Sequence, residues 1–304
     1  MIHNTNNRVN FKKLPVLNCL LSPLGADWHK NKGQNPMNSA MNNDALKDAA
    51  MLDPFHFAMA SRDADVLTLV REALAAKRAR LAFQPIVTAG PQGRTAFYEG
   101  LIRVMDQAGR VIPAAHFMPV IEETALGREI DCVTLELALQ LLRQNRTLRL
   151  SVNLSARSIG DGQWRRILEQ GLDGNDAPGN RLIFEISETS AMMLHEIVIR
   201  FMADMQPCGV AFALDGFGAG LTAFRHLKDF FFDLVKIDKS FVHGIADDPD
   251  NQVLTEALIK VAQQFEMLVI ADGVESANEA AILTKMGADC LQGYHFGVPK
   301  FDFG

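Results

Sequence analysis

From residue 81 onward, short β-prone runs recur between longer amphipathic stretches, and this alternation restricts the fold of the 304-residue chain more than any other feature. The runs are LAFQPIV (81–87), TAFYEGLIRV (95–104), LRLSVNLS (148–155), LIFEISE (182–188), VAFALDG (210–216), FDLVKID (232–238), LVIADG (268–273) and DCLQGY (289–294). Most are separated by Leu-, Ala- and Glu-rich segments with apolar stripes, such as REIDCVTLELALQLLRQN, SAMMLHEIVIRFMADMQ and NQVLTEALIKVAQQF. Alternating strands and helices predict an α/β fold with a mostly parallel sheet, and eight such strands match a (β/α)8 barrel. An open doubly wound sheet is the competing architecture.

The two ends of the chain differ in character. Residues 1–62 include HKNKGQNPMNSAMNND and show little strand or helix period, which predicts a disordered extension. Helical spacing of Val66, Leu67, Val70 and Leu74 behind Ser61 or Asp63 places the start of the barrel domain at about 63, running to 304. A formal net charge of −6 argues against a nucleic acid polymer as partner. Four scattered cysteines, without a CxxC pair, fit a reducing cytoplasm, and no apolar run is long enough for membrane insertion.

Nearly every predicted strand carries, at its carboxyl end, one side chain able to bind a metal or a phosphate. These are Glu99, Asn153, Glu185, Asp215, Lys236, Asp272 and Gln292. Singly, each is also what a turn or a helix cap requires, and Lys236 is also what an edge lysine looks like. Together they predict one acidic cup, because a closed barrel gathers its strand ends around a common axis. Strand alternation puts Glu99, Leu101 and Arg103 on one face, so Arg103 is either a surface charge or a phosphate clamp.

Carboxylates with an amide oxygen suit Mg2+ or Mn2+. Zinc is not expected, because the eight histidines show no ligand spacing and His116, His226 and His295 stand isolated. A divalent cation beside Lys236 and Arg103 points to phosphodiester hydrolysis. GFGAG (216–220) invites a dinucleotide-binding reading, but the fingerprint needs glycine where Leu221 stands.

FQPIV, EGLIR, SVNLSA, FEISET, ALDGFGAG, LVKIDKSFV, IADGVES and LQGYHFG follow one another in an order and spacing that resembles the EAL domain family of bacterial cyclic di-GMP phosphodiesterases. The resemblance covers about 65–302. It implies a modified TIM (β/α)8 barrel of the EAL type, with its first strand antiparallel, that hydrolyses cyclic di-GMP to pGpG with two Mg2+ or Mn2+ ions. It further implies metal binding by Glu99, Asn153, Glu185 and Asp215, and a water-activating role for Lys236. Ligand contacts are implied for Gln84, Leu101, Arg103 and Gln292, and Glu188 would pin the loop after the fifth strand. A homodimer formed beside that loop also follows, near the aromatic run Phe230, Phe231, Phe232, which packing of a helix on the barrel would equally explain.

Three positions depart from the family pattern. Gly100 replaces the alanine of the naming triplet, Asp272 replaces a glutamate, and Gly216 stands where the second of two adjacent metal-binding aspartates is expected. The first metal site is complete and the second is depleted, which predicts impaired hydrolysis. The alternative is a non-catalytic cyclic di-GMP receptor or a protein-interaction module.

Overall fold

In the computed structural model, which describes residues 54–91, 93–174, 176–220 and 224–303, barrel closure turns on one short connection. Strands β1 (Ala79–Thr88) and β2 (Thr95–Met105) are joined through residues 89–94. A parallel return needs a crossover of about a dozen residues, so the chain turns straight back and β1 lies antiparallel to β2, Gln84 opposite Glu99. β1 also pairs antiparallel with β9 (Cys290–Gln292), Ile86 opposite Gln292.

The remaining ring strands are β4 (Leu150–Asn153), β5 (Leu182–Ser187), β6 (Ala211–Phe217), β7 (Leu234–Ile237) and β8 (Leu268–Ala271). They follow one another in parallel from β2 round to β9, so eight strands close a barrel whose first strand alone runs against its neighbours. Closure excludes the open doubly wound sheet. All eight strands expected from the sequence are present, and a short β3 (Val111–Ile112), which periodicity does not single out, pairs with the end of β2.

The parallel strands are buried on both faces, which is why they read as continuous apolar runs. Alternation sorts their side chains into two layers. Ile86, Phe97, Ile183, Ala211, Ala213, Leu234, Ile270 and Cys290 form the inner cluster. Phe184, Ile186, Phe212, Leu214, Val235, Ile237 and Val269 face the helices. Those helices include α1 (Pro54–Ala75), α2 (Ala114–Ile121), α3 (Ala125–Gln144), α4 (Gly162–Gly171), α5 (Glu188–Met193), α6 (His195–Met205) and α7 (Phe224–Leu227). They continue with α8 (Lys239–Val242), α9 (Pro249–Gln264) and α10 (Ala277–Met286). Helix α1 begins at Pro54 rather than at the Ser61 or Asp63 cap; the rest of the expected disordered extension lies outside the described residues. Among the described residues, no helix is long and apolar enough to cross a membrane.

The outer layer is anchored by aromatic side chains. Trp164 on α4 and Phe201 on α6 each lie 5.6 Å, ring to ring, from a partner in the set Phe184 and Phe212, with Trp164 and Phe201 themselves 5.6 Å apart. Of the aromatic run, Phe230 and Phe232 are buried and Phe231 is 43% exposed, the pattern of a segment packed on the barrel. Phe184→Ala should remove contacts to three rings and cost about 3–5 kcal/mol. Urea unfolding would show it as a lower midpoint with little change in slope.

Candidate active site

The cup is built from the inner row of each strand, one step beyond the apolar layer. Two residues past Phe97, Ile183, Ala213, Leu234, Ile270 and Cys290 come Glu99, Glu185, Asp215, Lys236, Asp272 and Gln292. A period of two keeps each pair on the same face. The polar ring therefore sits on a floor of hydrocarbon at the carboxyl ends of the parallel strands.

At its centre the Lys236 ammonium, 3% exposed, donates to Glu185 Oε2 at 2.8 Å and to Glu99 Oε2 at 3.0 Å, with Asp215 Oδ1 at 3.8 Å. Glu99 also accepts from Asn153 Nδ2 at 2.8 Å and Gln292 Nε2 at 2.6 Å. Gln292 Nε2 lies 3.4 Å from Gln84 Oε1, and Gln84 in turn donates to the Gly297 carbonyl at 3.2 Å. Asp272 turns inward on the same charges while its Oδ1 accepts from the Gly273 N–H at 2.8 Å.

One ammonium cannot neutralise this many buried acids, and the carboxylates divide accordingly. Burial alone would raise Glu99, but the Lys236 charge and the hydrogen bonds from Gln292, Lys236 and Asn153 outweigh it and hold Glu99 below the ordinary range. Burial first, then the Glu99 charge, push Glu185 up to about 8 despite Lys236. Burial also opposes the ammonium, yet Glu185, Glu99, Asp215 and Asp272 together lift Lys236 well above its usual value. Asp272 is raised, chiefly by burial.

These residues fit a divalent cation. Glu185 Oε1 is buried with no hydrogen-bond partner among the described residues, beside the carboxylates of Glu99 and Asp215 and next to Asn153 on the neighbouring strand. An orphaned carboxylate oxygen among hard oxygen donors is what Mg2+ or Mn2+ would satisfy.

Next to the cup, a cavity of about 250 Å3 is lined by Leu101, Arg103, Asn153, Glu185 and Asp131. Arg103 reaches this wall while its Nη1 donates to the Ile102 carbonyl at 3.0 Å. Asp131, on α3, is not signalled by the sequence because it lies mid-helix rather than at a strand end. It accepts from Ser158 Oγ at 2.6 Å and the Ser155 N–H at 3.2 Å, and burial pushes it up to about 7.

Glu188 stands apart from the cup. Ser187 caps α5 by accepting from the Ser190 N–H, which places Glu188 in the first turn. Its Oε2 accepts the N–H groups of Gly218 and Gly220, at 3.1 and 3.3 Å, and so holds the segment after β6. At the end of β6 the pairing with β7 slips between Leu214 and Phe217, and Gly216 takes φ 70°, as a glycine bulge requires. GFGAG is thus the exit from a barrel strand, not a dinucleotide fingerprint. His226, expected to be isolated, lies 5.2 Å from His195, ring to ring.

A closed α/β barrel with carboxylates, amides and one ammonium gathered toward its strand ends is a frame suited to holding a divalent cation. The chain belongs to the EAL domain family, whose model matches residues 69–299. It is 30% identical over 236 residues to cyclic di-GMP phosphodiesterase PdeR of Escherichia coli, covering 76% of this chain and 35% of that protein. It is likewise 30% identical to the signaling protein YkoW of Bacillus subtilis, over 76% of this chain and 29% of that one. The chain spans about a third of these relatives' length. Among solved structures, the FimX EAL domain of Pseudomonas aeruginosa bound to c-di-GMP matches with a TM-score of 0.71 and 29% identity, covering 79% of this chain and all of that one. The PaMucR phosphodiesterase in complex with c-di-GMP matches at 0.72 and 26%, covering 78% and 97%.

Lys236→Met should be strongly destabilising, by about 3–5 kcal/mol at pH 8.5 or so, because it strands buried carboxylates without their cation. Glu185 titrates near 8 when folded against an ordinary 4.5, so its contribution is full below about 4.5 and lost as pH rises through 8. Without the ammonium Glu99 joins it, so the penalty of the variant should shrink at about pH 5.5. Urea unfolding at the two pH values, with chelator present, checks the sign.

Proposed function

We propose that the chain is a cyclic di-GMP phosphodiesterase that opens one phosphodiester bond to give pGpG, with turnover slowed by the absence of a carboxylate at Gly216. The observation that supports this best is the convergence of Glu99, Asn153, Glu185 and Asp215 around Lys236, with Glu185 Oε1 left unsatisfied. Those four residues would hold the first Mg2+ or Mn2+. The ion would supply charge that sharpens a water nucleophile and neutralises the transferring phosphate.

The chain's own groups then take distinct parts. Lys236, held protonated by the acids around it, has no lone pair to act as a base; it orients the attacking water through its N–H donors. Arg103 and Leu101, on the cavity wall, would meet the phosphate and base of the ligand, and Gln84 and Gln292 its polar edges. Glu188 acts as a positioning residue by holding the segment after β6. Asp272 would help to retain a second ion. A homodimer beside that segment belongs to the same reading.

Gly216 favours a second reading, a receptor that binds cyclic di-GMP without hydrolysing it. Its φ of 70° is one that side chains rarely adopt, so the backbone here is built for glycine.

The test follows pGpG formation with Mg2+ or Mn2+ in the wild type, Gly216→Asp and Lys236→Ala. Gly216→Asp should run at least about 10-fold faster per folded molecule, although the strained φ should cost it about 1–3 kcal/mol of stability. Lys236→Ala should be inactive. Equal rates for wild type and Gly216→Asp would remove the proposed impairment. Calorimetry with Ca2+ replacing Mg2+ should show cyclic di-GMP binding in the wild type; no heat up to millimolar ligand would leave only a protein-interaction role.

A further inference from the structure

None of the residues lining the cup belongs to a second cluster of metal-binding chemistry on the chain. His195 opens α6, His226 lies on α7, and Asp229 follows in the turn after it, its N–H donating to the His226 carbonyl at 3.0 Å. Asp229 Oδ2 lies 3.8 Å from His195 Nε2 and 3.8 Å from His226 Nδ1, and one donor atom from each of the three falls within 4.8 Å of the others. A separation of 3.8 Å is too long for a hydrogen bond. His195 Nε2 is buried, has no hydrogen-bond partner among the described residues, and is the ring atom that lies 3.8 Å from Asp229 Oδ2. Phe230 lies edge-on to the His195 ring at 4.8 Å and limits its rotation.

Two imidazoles and one carboxylate are the donors of a borderline transition metal, not of Mg2+. Tetrahedral zinc, with bonds of about 2.0–2.1 Å, holds its ligand atoms about 3.3 Å apart, so the two Asp229 gaps of 3.8 Å would close by roughly 0.5 Å each and the pair of imidazole nitrogens, within 4.8 Å of each other, by up to about 1.5 Å. With His195 held by Phe230, side-chain rotation of His226 and Asp229, 37% and 40% exposed, would supply that. Three protein ligands leave the fourth position to water, the arrangement of an accessible, exchangeable site.

We propose that His195, His226 and Asp229 form a Zn2+ site that pins the segment following β6 to helix α6. Glu188 already clamps the near end of this segment through Gly218 and Gly220. The zinc would fasten α7, which begins at Phe224, and the turn that carries Asp229. Occupancy then controls how firmly α7 and the turn after it are held against α6. Nothing in this step requires cyclic di-GMP or turnover.

The experiment uses the full chain, stripped with chelator and returned to a large excess of Mg2+ to occupy the cup. Zn2+ is titrated against a chromophoric chelator, and Co2+ serves as a spectroscopic stand-in. The expected result is one equivalent bound, with visible Co2+ absorption of tetrahedral intensity, and slower amide hydrogen exchange in 224–230 when zinc is added. His195→Ala and His226→Ala should each weaken zinc binding by more than the ~10- to 100-fold typical of losing an outer partner, while Glu99→Gln leaves it unchanged. Should either alanine variant lose its far-UV circular dichroism, Asp229→Asn, at a side chain 40% exposed, replaces it and should weaken zinc binding in the same way. Zinc binding that survives these changes, that disappears with Glu99→Gln, or that is absent in the wild type overturns the site.

Discussion

The closed barrel imposes one rule on which the whole site depends: along each strand, every second side chain faces the axis. Apolar residues at the first inner level fill the interior with Phe97, Ile183, Leu234 and Ile270. The next inner position can be polar because most of the parallel strands end at or near it and its side chains pair with one another. The cup is therefore the top layer of a packed column, and its residues inherit their spacing from the strands beneath them. Moving β5 by a single residue would exchange a cup acid for an outer-layer apolar side chain, since Glu185 lies between Phe184 and Ile186.

Electrostatics sets the second constraint. Glu99 and Glu185 are buried too deeply for both to ionise unaided, and Lys236 is the group that reaches both. The ammonium and the acids are interdependent: it stays charged because of them, and Glu99 stays ionised because of it. What remains unsatisfied is Glu185, whose raised pKa and orphaned oxygen express the same deficit of positive charge. A divalent cation would relieve that deficit, which makes the metal site and the lysine parts of one charge balance.

The sequence carries much of this in readable form. Eight strands, and a polar residue at most of their ends, follow from local periodicity, and the structure brings Glu99, Asn153, Glu185, Asp215, Lys236, Asp272 and Gln292 into one cup. The antiparallel first strand is not visible in periodicity, since a strand reads the same in either direction; family resemblance implies it, and the short 89–94 connection is its physical cause. Asp131 is hidden because a buried acid within a helix looks like an ordinary exposed one until the helix is placed. His226 looks isolated because His195 sits on a different helix, and only the packing of α7 against the start of α6 brings the two together.

Gly216 shows how backbone and chemistry are joined at the cup. Pairing between β6 and β7 runs through Leu214 opposite Val235 and resumes at Phe217 opposite Ile237, so Asp215 and Gly216 together face Lys236. The extra residue restores the alternation: Asp215 stays on the inner row, while Phe217, which strict alternation would send into the cup, packs in the outer layer instead. A side chain at 216 would leave from the bulge, and among the described residues its Cβ would meet only Asp238 Oδ2, at 4.0 Å. An aspartate there has room but must accept both a left-handed backbone and a like charge nearby. Glycine relieves both costs and leaves Asp215 as the one β6 carboxylate beside Lys236.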